Sequence, residues 1–204
     1  VLAPATISTD HPGYLSFIPS APTEASKLFD LIVSASAIYG GSWMEGAGAV
    51  YAENQVIEWL VRETGLPASA GGVFVQGGTI GNLSALVAAR FAAEKKLGRK
   101  AGRWAFICSS EAHSSLKTAA RVMDVDVIAA QADENGQLGG AAVEAALLSA
   151  GERDVFAIVA TGGTTNFGIV DRISEIAKVA NQNEVWLHID GAYGLAAILA
   201  ESTR

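Results

Sequence analysis

The sequence predicts an α/β fold in which a mainly parallel sheet is covered by helices on both faces. From about residue 72 onward, short apolar segments rich in β-branched residues alternate with longer segments of helical periodicity, a pattern typical of parallel sheets. Half of the 204 residues are hydrophobic and 17% are charged, as in a globular protein with a substantial core. We expect two parts: residues 1–71, an extended and helical lead-in that packs on the rest, and residues 72–204, a large domain.

The lead-in begins with a proline-containing segment, residues 1–22, which we expect to be extended. Thr23 is predicted to cap a helix with one apolar face, and the glycine pair at residues 40–41 is expected to stop it. A second helix is predicted over residues 52–63, closed by Gly65.

The large domain should alternate strands and helices. The predicted strands cover residues 73–75, 104–108, 125–129, 155–160 and 185–189. Four helices are predicted in this part of the chain. The first follows the glycine-rich turn at residues 77–82 and ends at Gly98, and the second ends near Met123. The third covers residues 141–148, and the fourth begins after Asp171, which is expected to cap it.

Composition argues against several classes of protein. The formal net charge is −7 and lysine and arginine form no long cluster, which argues against a nucleic-acid or anionic-membrane partner. Apolar runs fall short of the roughly 18 residues of a membrane span. The single cysteine, Cys108, cannot form a disulfide within the chain and favours a cytoplasmic location. The histidines are too far apart in the sequence to predict a metal site.

Asp190 is the most informative residue, because it follows a predicted buried strand directly. Ligands of open α/β sheets bind beyond the carboxyl ends of strands, and a buried carboxylate needs a partner. One suitable partner is the protonated pyridine nitrogen of pyridoxal phosphate (PLP); a helix N-cap and a metal ligand are the alternatives. His188 lies two residues earlier on the same strand face, where it either orients Asp190 or is a core histidine.

Three other strand ends carry polar or glycine-rich segments. The turn Gly-Gly-Thr-Ile-Gly-Asn at residues 77–82 suits a single phosphate at a helix N-terminus, although a plain strand-to-helix turn looks similar. His113 could stack on a flat cofactor or move a proton, or simply be exposed beside a serine cap. The segment Thr-Gly-Gly-Thr-Thr at residues 161–165 suits a polar ring substituent or a simple turn.

These motifs together resemble the PLP-dependent group II amino-acid decarboxylases, which include the aromatic-L-amino-acid, histidine and glutamate decarboxylases. The segments that carry the resemblance are residues 77–83, 111–115, 163–165 and 186–193. The resemblance implies a PLP fold type I large domain, similar to aspartate aminotransferase, and an enzyme that is a carboxy-lyase and a homodimer. It also implies the following roles: Gly78 and Thr79 hold the cofactor phosphate, His113 stacks on the ring and assists catalysis, Thr165 contacts the ring's oxygen side, Asp190 pairs with the ring nitrogen, and Ala192 packs beneath the ring.

The sequence departs from the family pattern in one serious respect. The family's Schiff-base lysine follows a histidine downstream of the aspartate, whereas all six lysines here precede Asp190. We therefore interpret the chain as a fragment of a decarboxylase acting on an L-amino acid. An aromatic or apolar substrate is suggested by residues 14–17 and Trp43. The alternatives are another fold type I enzyme, such as an aldehyde synthase, an aminotransferase or a C–C or C–S lyase, and a non-catalytic domain without the lysine.

Overall fold

The computed structural model describes residues 3–14, 16–17 and 20–203, and the chain divides into two compact units, Val1–Phe74 and Val75–Arg204. The sequence-based division at residues 71 and 72 lies three residues earlier. Within the described residues, no helix combines the length and the apolar character needed to cross a membrane.

The first unit contains two α-helices, α1 (Glu24–Ser36) and α2 (Ala47–Thr64), and a 3-10 turn at Ala3–Ala5. Thr23 caps α1 as predicted, because its hydroxyl accepts from Ser26 N at 3.2 Å. The predicted stop at the glycine pair is wrong: α1 ends earlier, at Ala37, which adopts a left-handed conformation. Gly65 closes α2 in the same conformation, as predicted.

The second unit is an alternating α/β structure. Its elements are α3 (Gly78–Leu97), β1 (Arg103–Ser109), α4 (Ser115–Met123), β2 (Asp126–Ala130), α5 (Gly140–Leu148), β3 (Arg153–Thr161), α6 (Ile173–Gln182) and β4 (Trp186–Asp190), followed by a 3-10 turn at Leu195–Leu199. The strands form one sheet in the order β2-β1-β3-β4, and every neighbouring pair is parallel. This confirms the predicted fold class.

Alternating residues of the central strands build a core on each face of the sheet. Ile107 and Ile158 point to one face and pack with α5 and α6, while Phe106 and Val159 point to the other and pack with α3 and α4. The register between β1 and β3 shifts at Ala105, so β3 has one extra residue there. The two central strands are thus buried on both sides, as their continuous apolar sequences predict, whereas β4 is partly exposed.

Two further predictions about elements of the chain are wrong. Residues 73–75 form no strand, because no strand of the described chain pairs with them; Val73 is 67% exposed, and Phe74 N donates instead to Glu53 Oε1 at 2.7 Å. Asp171 does not cap α6 with its side chain. Its carboxylate accepts from Leu138 N and Thr161 N and so joins two loops.

Candidate active site

The candidate site lies at the carboxyl edge of the sheet. Asp190 is the last residue of β4 and pairs in register with Thr161, the last residue of β3. Two backbone hydrogen bonds join the segments that follow these strands, from Gly162 N to Asp190 O at 2.8 Å and from Gly194 N to Gly162 O at 2.9 Å. Gly194 is required at this junction, because a Cβ on it would lie 2.3 Å from Gly162 O.

Asp190 is 8% exposed and its carboxylate accepts two hydrogen bonds. Asn82 Nδ2 donates to Oδ2 at 2.9 Å, and Ala192 N donates to Oδ1 at 3.3 Å. A buried carboxylate with two donors remains a good partner for one further cation or N–H group, since its two oxygens offer about four lone-pair positions. The prediction that a buried Asp190 ends a strand is therefore confirmed, but the strand itself is not buried, because Trp186 and Ile189 of β4 are exposed.

His188 contacts Asp190 indirectly, through Asn82. Its Nε2 lies 2.8 Å from Asn82 Oδ1. Burial lowers the pKa of His188 from its usual 6.5, and the nearby charge of Asp190 opposes that shift. His188 is thus a half-buried histidine with a polar partner, and both sequence interpretations hold in part: it belongs to the interior and it supports the residue that holds Asp190.

His113 is exposed and is tied to the same group of residues. Its Nδ1 lies 2.9 Å from Ser115 Oγ and accepts from Ser115 N at 3.2 Å. Ser115 Oγ in turn accepts from Asn82 Nδ2 at 3.0 Å. The hydrogen-bond chain His188–Asn82–Ser115–His113, with Asp190 as a branch at Asn82, is called the Asn82 network below.

The segment predicted as a glycine-rich turn, residues 77–82, is helical from Gly78 onward, so it forms the start of α3 beside this network. Gly77 has φ +85°, which favours glycine, and precedes the first helical residue, Gly78. A Cβ on Gly78 would lie 3.3 Å from the Cβ of Ala192, so the helix start approaches closely the second residue after Asp190. Thr79 lies exposed in the first helical turn, where backbone N–H groups lack partners within the helix.

The segment at residues 161–165 is held by hydrogen bonds to residues that follow it in the chain. Thr164 is buried and its Oγ1 accepts from Ile169 N at 3.1 Å, whereas Thr165 is exposed. Asp171, 4% exposed, accepts from Thr161 N at 2.7 Å and Leu138 N at 2.9 Å, and burial raises its pKa. Thr165 is therefore positioned by a segment whose polar groups are internally paired.

Two residues of the site were missed as separate features in the sequence, Asn82 and Ser115. Asn82 is 5% exposed and lies on the same helix face as Leu86 and Ala89, both fully buried. A polar residue inside an apolar stripe at spacing i, i+4 and i+7 is a readable signal, because a buried amide needs partners. Ser115 had no such signal, since serine near a helix start is ordinary.

The aromatic or apolar substrate suggested by residues 14–17 and Trp43 stays a prediction. Trp43 lies exposed in the first unit, and Leu15 lies outside the described residues.

The second unit fits a phosphorylated pyridine cofactor. A buried carboxylate suits the pyridine nitrogen, the start of α3 with Thr79 suits a phosphate, and the space beside Gly78 would be narrowed by any Cβ. An exposed imidazole and an exposed threonine hydroxyl lie after the neighbouring strands. A parallel sheet with these groups at its carboxyl edge defines a protein of the PLP-binding fold type I class.

The chain belongs to the family described as the pyridoxal-dependent decarboxylase conserved domain, whose model matches residues 1–204. It is 34% identical over 198 residues to an aromatic-L-amino-acid decarboxylase of Bacillus atrophaeus, with 94% of this chain and 40% of the relative aligned. The chain thus spans less than half the length of this relative.

Solved structures agree with this assignment. The glutamate decarboxylase domain of a diaminobutyrate-pyruvate transaminase and L-2,4-diaminobutyrate decarboxylase from Vibrio parahaemolyticus superposes with a TM-score of 0.87 at 30% identity, covering 95% of this chain and 46% of that one. The Rhodiola rosea 4-hydroxyphenylacetaldehyde synthase superposes with a TM-score of 0.82 at 26% identity, covering 92% of this chain and 43% of that one.

Proposed function

We propose that the intact protein containing this chain is a carboxy-lyase that decarboxylates an L-amino acid with PLP. The observation that carries the proposal is the buried Asp190 at the carboxyl edge of the sheet, held by Asn82 and Ala192 N. When bound, PLP supplies an electron sink for the electron pair released as CO₂ leaves.

Each predicted residue has a role that its place supports. Asp190 pairs with the ring nitrogen and keeps it protonated, because an acidic partner is needed there. Gly78 and Thr79 bind the phosphate at the start of α3. His113 stacks on the ring and moves a proton.

Two further positions complete the proposed ring site. Thr165 contacts the oxygen side of the ring from its exposed position, and Ala192 packs beneath the ring beside Gly78. No lysine follows Asp190 in the sequence, so we propose that a residue outside this chain forms the covalent link to the cofactor.

We propose an aromatic L-amino acid as substrate, supported by the identity to the Bacillus atrophaeus enzyme. The Rhodiola rosea relative supports a second candidate, conversion of an aromatic amino acid to an aldehyde. A panel of L-amino acids incubated with the intact protein separates the two, because decarboxylation releases CO₂ and an amine, whereas the second reaction yields an aldehyde. Release of neither product from any amino acid would contradict both.

The role of Asp190 is tested by Asp190→Asn, which keeps the shape and removes the charge. We expect CO₂ release to fall by at least about 100-fold, comparable with the loss of one electrostatic stabiliser. Asp126→Asn is the matched control, because Asp126 begins β2 at the opposite edge of the sheet and binds Arg103 at 3.0 Å. Equal activity of the two variants would refute the assignment.

We also propose a cytoplasmic homodimer. The apolar face of α1 supports self-association: Leu28, Leu31 and Ile32 are each more than half exposed. The lone cysteine of the chain agrees with a reducing compartment. Light scattering of the intact protein tests the dimer, and a monomer at micromolar concentration would contradict it; cell fractionation tests the location.

A further inference from the structure

We propose that Asn82 is a positioning residue whose amide determines which nitrogen carries the proton in His188 and, through the Ser115 hydroxyl, reinforces the proton position in His113. The functional meaning of this inference rests on the proposed function, because it concerns the residues assigned to the ring nitrogen and the ring face. The proton positions themselves follow from the hydrogen bonds of the Asn82 network alone.

The first step is the orientation of the amide. An ionised carboxylate only accepts hydrogen bonds, so the group of Asn82 that faces Asp190 Oδ2 at 2.9 Å must be the NH₂. The reversed amide would place Oδ1 against the carboxylate, oxygen to oxygen. The charge of Asp190 therefore selects one of the two orientations that asparagine could adopt.

The second step concerns His188. With the amide in this orientation, Oδ1 faces His188 Nε2 at 2.8 Å and can only accept, so Nε2 must carry a hydrogen. Burial lowers the pKa of His188, which favours the neutral ring. A neutral ring with its hydrogen on Nε2 has a bare Nδ1, and the tautomer is thereby determined.

The third step reaches His113 through Ser115. The second hydrogen of the Asn82 amide points to Ser115 Oγ at 3.0 Å, so the hydroxyl accepts there and its own hydrogen is free for His113 Nδ1 at 2.9 Å. Ser115 N also donates to the same nitrogen at 3.2 Å. Two donors on Nδ1 mean that neutral His113 carries its hydrogen on Nε2.

The consequence is a link between the two groups proposed to contact the cofactor. The carboxylate of Asp190 orients the Asn82 amide, and the amide orients the Ser115 hydroxyl. The hydroxyl then joins Ser115 N in donating to His113 Nδ1, which leaves the ring hydrogen at Nε2. In the neutral ring His113 thus has an N–H rather than a bare nitrogen at Nε2, so this nitrogen donates a hydrogen bond and does not accept one. Asn82 acts only through its neighbours.

The experiment is nitrogen-15 NMR of the cofactor-free intact protein labelled on histidine, in which ring nitrogens with and without hydrogen have different shifts. His113→Gln and His188→Gln identify the two signals. We expect a hydrogen on Nε2 in both rings. A hydrogen on Nδ1 of either neutral ring would overturn the proposal.

Two variants separate the links, and each has its own expected pattern. Asn82→Leu removes every hydrogen bond of the amide while suiting the apolar face of α3, so both histidine signals should change. Ser115→Ala removes the hydroxyl but keeps the backbone N–H donor, so only the His113 signal should change. Ser114→Ala, a change at the exposed neighbour outside the network, should alter neither signal. Unchanged histidine signals in Asn82→Leu and Ser115→Ala would refute the proposal.

Activity is measured separately, which distinguishes failure of this inference from failure of the proposed function. In a protein that decarboxylates, Asn82→Leu should lower kcat by about 10- to 100-fold, the effect of losing a hydrogen bond to a charged group. Asn82→Leu that shifts both histidine signals yet retains full activity would refute the positioning role. Absence of decarboxylation in the wild-type protein, with the expected tautomers, would refute the proposed function and leave the assignment of proton positions standing.

Discussion

Asp171 offers a quantitative test of how the segment at residues 161–165 is held. Asp171→Ala removes the carboxylate that accepts from Thr161 N at 2.7 Å and from Leu138 N at 2.9 Å. Thr161 is 5% exposed and Leu138 is fully buried, so water cannot readily replace the lost acceptor. Two buried N–H groups are then left without partners.

The expected cost follows from these two groups. Each buried, unpaired N–H costs about 1–3 kcal/mol, and the substitution also removes a buried charge, which offsets part of the loss. That offset is real, because burial outweighs the two hydrogen bonds and raises the pKa of Asp171. We expect the free energy of unfolding to fall by about 2–4 kcal/mol for Asp171→Ala and by less for Asp171→Asn, which retains one acceptor oxygen.

Urea unfolding of the intact protein measures the difference. The matched control is Asp133→Ala, because Asp133 also accepts from two backbone N–H groups, those of Asn135 and Gln137, but lies at the surface. Its removal should cost less than about 1 kcal/mol, since water satisfies exposed groups. Equal losses for the two alanine variants would show that burial of the Asp171 contacts does not matter, and would refute the reasoning.

Two further predictions concern titrating groups of the core. Cys108 is 4% exposed, and burial raises its pKa to about 12. Iodoacetamide should therefore leave Cys108 unmodified in the native protein and alkylate it in denaturant, which peptide mapping measures. Rapid labelling of the native protein would contradict the burial of Cys108. Because the folded state lowers the pKa of His188 below 6.5, the unfolded chain takes up the proton first. The free energy of unfolding should therefore fall as the pH drops below about 6.5 and hold its full value above it, while His188→Gln should flatten this dependence; an unaltered pH profile in that variant would exclude His188 as the cause.

The fold was largely predictable because the strands can be recognised from the composition of their own sequences. Continuous apolar segments such as residues 155–160 are typical of strands buried on both faces, and helices with glycine closures alternate with them. The segment at residues 73–75 has the same composition but no neighbouring strand, and composition alone does not supply a pairing partner. The end of α1 was missed because Ala37, not a glycine, adopts the left-handed conformation.

The candidate site was predictable residue by residue but not as a network. Asp190 and His113 stood out because a charged or titratable side chain directly after a strand requires an explanation. The contacts between them pass through Asn82 and Ser115, and which buried amide meets which carboxylate depends on packing across the sheet. Asp171 was misassigned for the same reason: an aspartate before a helix usually caps it, yet here its carboxylate faces two loops.

The Asn82 network also bears on the order in which the chain acquires its structure. Asn82 and Asp190 are 108 residues apart in the sequence and Asn82 and His188 are 106 apart, so these contacts close a loop that spans most of the second unit. During synthesis, α3 leaves the ribosome long before β4. Asn82 therefore lacks its partners, the carboxylate of Asp190 and the imidazole of His188, until β4 has been synthesised. Long-range contacts of this kind form late in folding, because the chain loses conformational entropy when the loop closes, before the contacts stabilise the closed loop. The site is therefore among the last parts of this unit to form, and its helical half remains incomplete until residue 190 has been made.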